Sequence, residues 1–128
     1  MIKLAYISIG GAIGALLRYG VSGIAQRFSN SEFPLGTLAV NLTGSSIIGV
    51  FWVISESVMI SQNFRIFIFI GILGSFTTFS TFTLESFHLL RDSEYVFFFA
   101  NILLSITLGI TLVFAGYFFS RYIISIMR

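Results

Sequence analysis

Four stretches of this chain are apolar for long enough to cross a lipid bilayer, and that property restricts its fold more than any other. A bilayer's hydrocarbon core is about 30 Å thick, so a helix needs roughly 20 mostly apolar residues to span it. The first stretch covers residues 4–25 and is interrupted by Arg18; the second, residues 33–55, carries no charge. The third, residues 66–84, is also uncharged, and the fourth covers residues 95–120. Between them stand Arg27, Asn30, Glu32 and Pro34, then Glu56, Gln62, Asn63 and Arg65, then Arg91, Asp92 and Glu94. Pro34 suits the first turn of a helix, where a missing N–H is no loss. The connections are short, so consecutive helices run antiparallel. Period-two alternation is absent and the runs are too long for barrel strands. The expectation is an all-α membrane protein, one domain over residues 1–128.

Composition agrees. Only 9% of the 128 residues are charged, against about 25% in soluble domains, too few to coat a water-facing surface. Sixteen Phe and a single Pro exclude a disordered or Pro-rich linker, and the absence of Cys excludes disulfides and thiolate metal sites. No basic tract suits nucleic acid. The N-terminal stretch has Lys3 ahead of an apolar run, as in a signal peptide, but no small-x-small cleavage pattern precedes a soluble domain, so it reads as a retained first helix. Lys3, Arg65, Arg121 and Arg128 fall on one side of the membrane and Arg18, Arg27 and Arg91 on the other. By the positive-inside rule this is almost no bias. Such a chain can insert both ways, which permits an antiparallel dimer.

Polar groups inside a bilayer are costly unless paired or facing a wet cavity. In the second span Thr37, Asn41, Gly44 and Ser45 share one helical face. Gly44 and Ser45 suit a small-residue packing seam, whereas the Asn41 amide, near mid-span, is a candidate pore-lining donor. Asn101, Ser105 and Gly109 repeat the pattern at intervals of four. In the first span Gly10 and Gly14 form a GxxxG pair, with Arg18 one step further. Arg18 must pair, snorkel, contact backbone carbonyls or line an anion-accessible vestibule.

The third span is the least ordinary. Thr77, Thr78, Ser80, Thr81 and Thr83 stand among Phe76, Phe79 and Phe82, after Gly71 and Gly74. This is a poor helix interior, and its hydroxyls compete for backbone groups. A helix break is expected, tolerated only where protein or a cavity satisfies the freed groups; freed carbonyls are hard oxygen ligands for a small cation. The alternative is a kinked helix with its hydroxyls bonded back to preceding turns.

Residues 36–44, Gly-Thr-Leu-Ala-Val-Asn-Leu-Thr-Gly, together with residues 71–82 and their Thr-Thr-Phe-Ser-Thr-Phe run, resemble the Fluc (CrcB) fluoride channels. Gly-Ala-Leu-Leu-Arg at 14–18 extends the similarity, which covers essentially the whole chain. The resemblance implies an antiparallel, dual-topology homodimer in the cell (inner) membrane. Its two pores would export, passively, the fluoride that enters cells as HF, relieving fluoride toxicity. It implies a pore lined by Asn41, with Thr37 on the same face, by Phe79 and Phe82, and by Ser80 and Thr81 between them. It places Arg18 in the vestibule, Glu85 at an acidic position after the Phe run, and Asn101 on the fourth helix, with Ser105 one turn beyond. It also implies a structural Na⁺ at the dimer centre, held by the main-chain carbonyls of Gly74 and Thr77 of each subunit.

The residues suit that chemistry. Fluoride is strongly hydrated, so a pore must replace lost water with donors, which the Asn41 amide and the Ser80 and Thr81 hydroxyls supply. Aromatic edges are positive, so Phe79 and Phe82 can present ring C–H groups. Arg18 raises the local anion concentration. His88 reads as an interfacial polar residue, not a proton relay. The rival is a small multidrug-type proton-coupled exporter, which needs a carboxylate embedded mid-helix. Glu32, Glu56, Glu85, Asp92 and Glu94 are all expected at span ends or in loops, which disfavours it. A passive packing subunit would explain the glycines but not the hydroxyl–Phe run. No metal cluster or nucleophile–base arrangement suggests an enzyme.

Overall fold

The computed structural model describes residues 1–29 and 32–127; Asn30 and Arg128, used above as a loop marker and an orientation charge, lie outside the described residues. Five helices follow in order: α1 (Ile2–Arg27), α2 (Leu35–Ser57), α3 (residues 62–76), α4 (Phe79–Arg91) and α5 (Tyr95–Met127). Helices α3 and α4 together make the third span, so four helical segments are long and apolar enough to cross a membrane. No strand occurs among the described residues.

Local signals set the boundaries. Pro34 caps α2. The Ser61 hydroxyl accepts the Phe64 N–H at 3.3 Å and starts α3, the N-cap role of a short hydroxyl side chain. Between α4 and α5 the chain reverses at Ser93, whose φ of 63° is the only left-handed value among described non-glycine residues. The turn closes through the Glu94 N–H on the Leu89 carbonyl at 2.8 Å. Two spans outrun the expectation. The third continues to Arg91 and the fourth to Met127, because helical hydrogen bonding carries through polar residues that an apolar count treats as an end. At 33 residues α5 is about 50 Å long, well beyond the hydrocarbon thickness. The stretch Ile66–Leu73 of α3 is wound as a π-helix, with the Gly74 N–H reaching the Phe69 carbonyl five residues back.

Two seams hold the bundle together. Helix α1 packs on α3, and α2 packs on α5 over the most extensive contact in the fold. Both are built from glycine. A Cβ on Gly10 would stand 2.9 Å from the Gly71 Cα and 2.7 Å from the Phe67 carbonyl, and one on Gly14 would run into the Ile72 carbonyl. In the second seam a Cβ on Gly49 would meet the Val113 carbonyl, and one on Gly116 would lie 2.5 Å from the Ser46 carbonyl. Lipid is as apolar as leucine, so close backbone approach, not the hydrophobic effect, drives helices together here. Leu38, Val40, Val53, Leu73, Phe76, Phe82 and Leu89 form the buried interior. Much of α1 and α5 turns large apolar side chains outward, among them Leu16, Phe99 and Phe118.

Candidate functional site

The third span breaks where its hydroxyls cluster. Thr77 (φ −75°, ψ 155°) and Thr78 (φ −146°, ψ 119°) are extended, separating α3 from α4. Both sequence readings hold in part. The break is present, yet Thr77 Oγ1 also bonds back to the Leu73 carbonyl at 2.9 Å and Thr83 Oγ1 to the Ser80 carbonyl at 3.0 Å.

Asn41 braces the break. Its Nδ2 donates to the Thr78 carbonyl at 3.0 Å, and its Oδ1 accepts the Thr78 N–H at 2.8 Å. In an uninterrupted helix that N–H would bond the Gly74 carbonyl. The Thr81 N–H, which would bond the Thr77 carbonyl, points instead to Thr78 Oγ1 at 3.3 Å. Asn41 and Thr78 thereby release from the helix ladder the two carbonyls singled out as cation ligands. Gly74 and Thr77 line a cleft of about 320 Å³ together with Asn41, Gly44, Ser45 and Phe79. Gly44 is needed there because a Cβ would run into Thr77 Cγ2.

Behind the break lies a larger cavity of about 760 Å³ between α1 and α2. Arg18, Arg27, Ser22, Thr37, Thr78 and Thr81 line it, and no carboxylate does. Arg18 has no carboxylate partner among the described residues. Of the roles open to it, facing a cavity beside a second arginine is the one the structure displays, and two cations with low-dielectric walls favour anions. Thr78 Oγ1 lies 2.9 Å from Thr81 Oγ1 and 3.4 Å from Ser80 Oγ, so the three hydroxyls form one relay at the start of α4.

The two phenylalanines differ. Phe82 is buried, whereas Phe79 is 77% exposed, with ring centroids 5.7 Å apart and planes tilted by 44°. Further along, Thr37 Oγ1 donates to Glu85 Oε1 at 2.7 Å. Glu85 lies in the later part of α4, which ends at Arg91, and lines a recess with the flanking Glu32, Pro34 and Asp92. Asn101 is 1% exposed and donates its Nδ2 to Ser86 Oγ at 3.0 Å, while Ser86 donates to the Phe82 carbonyl at 2.8 Å. Because the single Ser86 hydrogen is committed, Asn101 must be the donor, which turns its Oδ1 away. Ser86 was missed by the sequence reading: an ordinary helix hydroxyl has no signal until α5 is seen packed on α4. Three buried polar atoms have no hydrogen-bond partner among the described residues: Glu85 Oε2, Asn101 Oδ1 and Ser105 Oγ. Buried polar atoms are nearly always paired, and these three lie on residues expected at the pore.

A smaller recess of about 300 Å³, lined by Glu32, Glu85, His88 and Asp92, lies at the far end of α4. The Arg91 guanidinium, bonded to Asp92 at 2.7 Å, holds that carboxyl below its usual range.

Comparison with known proteins gives this arrangement a family. Residues 5–117 match the family described as CrcB-like protein, Camphor Resistance (CrcB). The chain is 44% identical over 128 residues to a protein of Parabacteroides distasonis, covering all of both chains. It is 47% identical over 116 residues to one of Salinibacter ruber, covering 91% of this chain and 87% of that one. A third, from the archaeon Pyrococcus abyssi, is 43% identical over 114 residues, covering 88% and 91%. All three relatives carry the name Fluoride-specific ion channel FluC. On the strength of a family match over nearly the whole chain and of these full-length relatives, the protein belongs to the CrcB family.

Proposed function

We propose that two copies of this chain, inserted in opposite orientations in the cell (inner) membrane, form a passive fluoride-selective channel that relieves fluoride toxicity. One observation carries the reading: a cationic, carboxylate-free cavity is lined by Arg18 and Arg27 together with the hydroxyl residues Thr37, Thr78 and Thr81. The names of the full-length relatives support fluoride as the ion.

The arginines gather the anion and the hydroxyls of Ser80 and Thr81 take over from its water, with Thr37, whose hydrogen is given to Glu85, lining the path beside them. The second Nδ2 hydrogen of Asn41, not used on Thr78, adds a donor. Phe82 and the outward-facing Phe79 present ring edges, and Ser105 donates its free hydroxyl. No full positive charge lies among these inner groups, so the ion is stabilised enough to enter and weakly enough to leave. The exposure of Phe79 supports a partner copy that completes the path. The Gly74 and Thr77 carbonyls, freed on the wall of an open cleft, suit a hard monovalent cation such as Na⁺ shared with the same carbonyls of the second copy.

The test is efflux from liposomes holding the purified protein, with F⁻, Cl⁻ and a cationic dye compared. Rapid F⁻ loss without Cl⁻ or dye loss, unchanged when the proton gradient is collapsed, is the expected result. Dye loss that needs the gradient would instead establish a proton-coupled exporter working through Glu85.

A further inference from the structure

A cavity away from the break is built from different chemistry. About 460 Å³ in volume, it lies where the end of α2 meets the start of α3, and its lining includes Trp52, Gln62, Arg65, Ile66, Phe69 and Ile70. Its polar end is Gln62 and Arg65, at the boundary of the third span. Its apolar wall is Ile66, Phe69 and Ile70, one face of the next helical turns. Trp52 stands edge-on to Phe69, ring centroids 6.0 Å apart at 76°, and remains 47% exposed. Among the described residues Arg65 makes no ion pair, and Glu56, the nearest acid in sequence, does not line the cavity. A free guanidinium at the membrane boundary, an amide beside it, an amphipathic indole ring and an apolar groove leading inward match the parts of one molecule: a phosphate headgroup with its acyl chain. Guanidinium is the side chain best suited to a phosphate, and Trp rings favour headgroup depth.

We infer that this cavity is a binding site for an anionic phospholipid of the surrounding bilayer, the phosphate on Arg65 and Gln62 and an acyl chain along Phe69 and Ile70 against Trp52. The site is separate from the ion path and does not depend on which ion the protein conducts.

Trp52 is the only tryptophan in the chain, so its fluorescence reports on this cavity alone. Full-length protein is reconstituted in zwitterionic vesicles doped with brominated phosphatidylglycerol or brominated phosphatidylcholine, and bromine quenching gives the relative affinity of the two lipids. One basic residue near the surface corresponds to a preference of about fivefold for the anionic lipid. That ratio should fall to about one in Arg65→Gln and persist in Arg65→Lys. Raising the salt on the unmodified protein should also reduce it, which provides a test even if Arg65→Gln does not reconstitute. A ratio of one in the unmodified protein, or a ratio unaltered by Arg65→Gln, overturns the proposal. Loss of the preference on exchanging chloride for inorganic phosphate at constant ionic strength also overturns it, in favour of a soluble anion. Absence of quenching by either lipid overturns it in favour of a second protein copy covering the cavity.

Discussion

Asn41 on α2 bonds both main-chain groups of Thr78, its amide nitrogen 3.0 Å from the carbonyl and its amide oxygen 2.8 Å from the N–H. The amide oxygen supplies, from a neighbouring helix, the acceptor that the preceding helical turn would have given the Thr78 N–H. Aspartate at this position keeps the acceptor but sets a carboxylate oxygen against a carbonyl and adds a negative charge to an anion path. Asn41→Asp should therefore abolish fluoride efflux. Asn41→Ala should lower stability by about 1–3 kcal/mol through the unpaired Thr78 groups, read as a lower unfolding midpoint in detergent. If Asn41→Asp conducts like the unmodified protein, Asn41 only braces the break.

Phe79 and Phe82 should separate stability from conduction. Phe82 is buried and Phe79 is not, so Phe82→Ile should cost about 1–2 kcal/mol, whereas Phe79→Ile should leave the fold of one chain within about 0.5 kcal/mol. Both should reduce fluoride efflux from liposomes. Unchanged efflux in both variants would remove any role for the ring edges.

Arg18 and Arg27 act at a distance, so their effect should depend on salt. Arg18→Gln should slow fluoride efflux about fivefold at low ionic strength, and the deficit should shrink as salt rises and the Debye length falls to about 8 Å. A deficit independent of salt would point to direct contact with the ion or to misfolding.

Gly14 lets α1 lie against the Ile72 carbonyl without space for a methyl group. Gly14→Ala should destabilise the bundle by about 1–3 kcal/mol. Gly20, which has nothing within 4 Å of a built Cβ, is the control and should tolerate alanine. Thermal unfolding of both variants in the same detergent makes the comparison.

Ser86 and Asn101 form a buried pair between α4 and α5. A double-mutant cycle with Ser86→Ala and Asn101→Ala should give a coupling of about 1 kcal/mol. Additive losses would mean that the bond contributes little.

The four spans were legible because bilayer thickness converts directly into run length, and the break was legible because Thr77 to Thr83 is poor helix surrounded by good helix. The π-helical winding of Ile66–Leu73 left no trace: an entirely apolar octapeptide gives no sign of how its carbonyls pair. Asn41 stands out in the sequence as a mid-span amide, but its engagement with Thr78 depends on how α2 is set against α3, which no local pattern encodes. The bond from Thr37 to Glu85 was not legible, because it depends on how α2 is set against α4. Arg18 has several roles open to it in the sequence, because the cavity it shares with Arg27 forms only when α1 packs beside α2.

The brace on Thr78 also bears on the order of assembly. In hydrocarbon a free N–H and C=O each cost several kcal/mol, and the groups that relieve that cost at Thr78 belong to a different span. Residues 62–91 should therefore enter the bilayer as one unbroken rod and bend only as α2 docks beside them. The kink would then be a product of assembly, with the Gly74 and Thr77 carbonyls leaving the helix ladder only at that step.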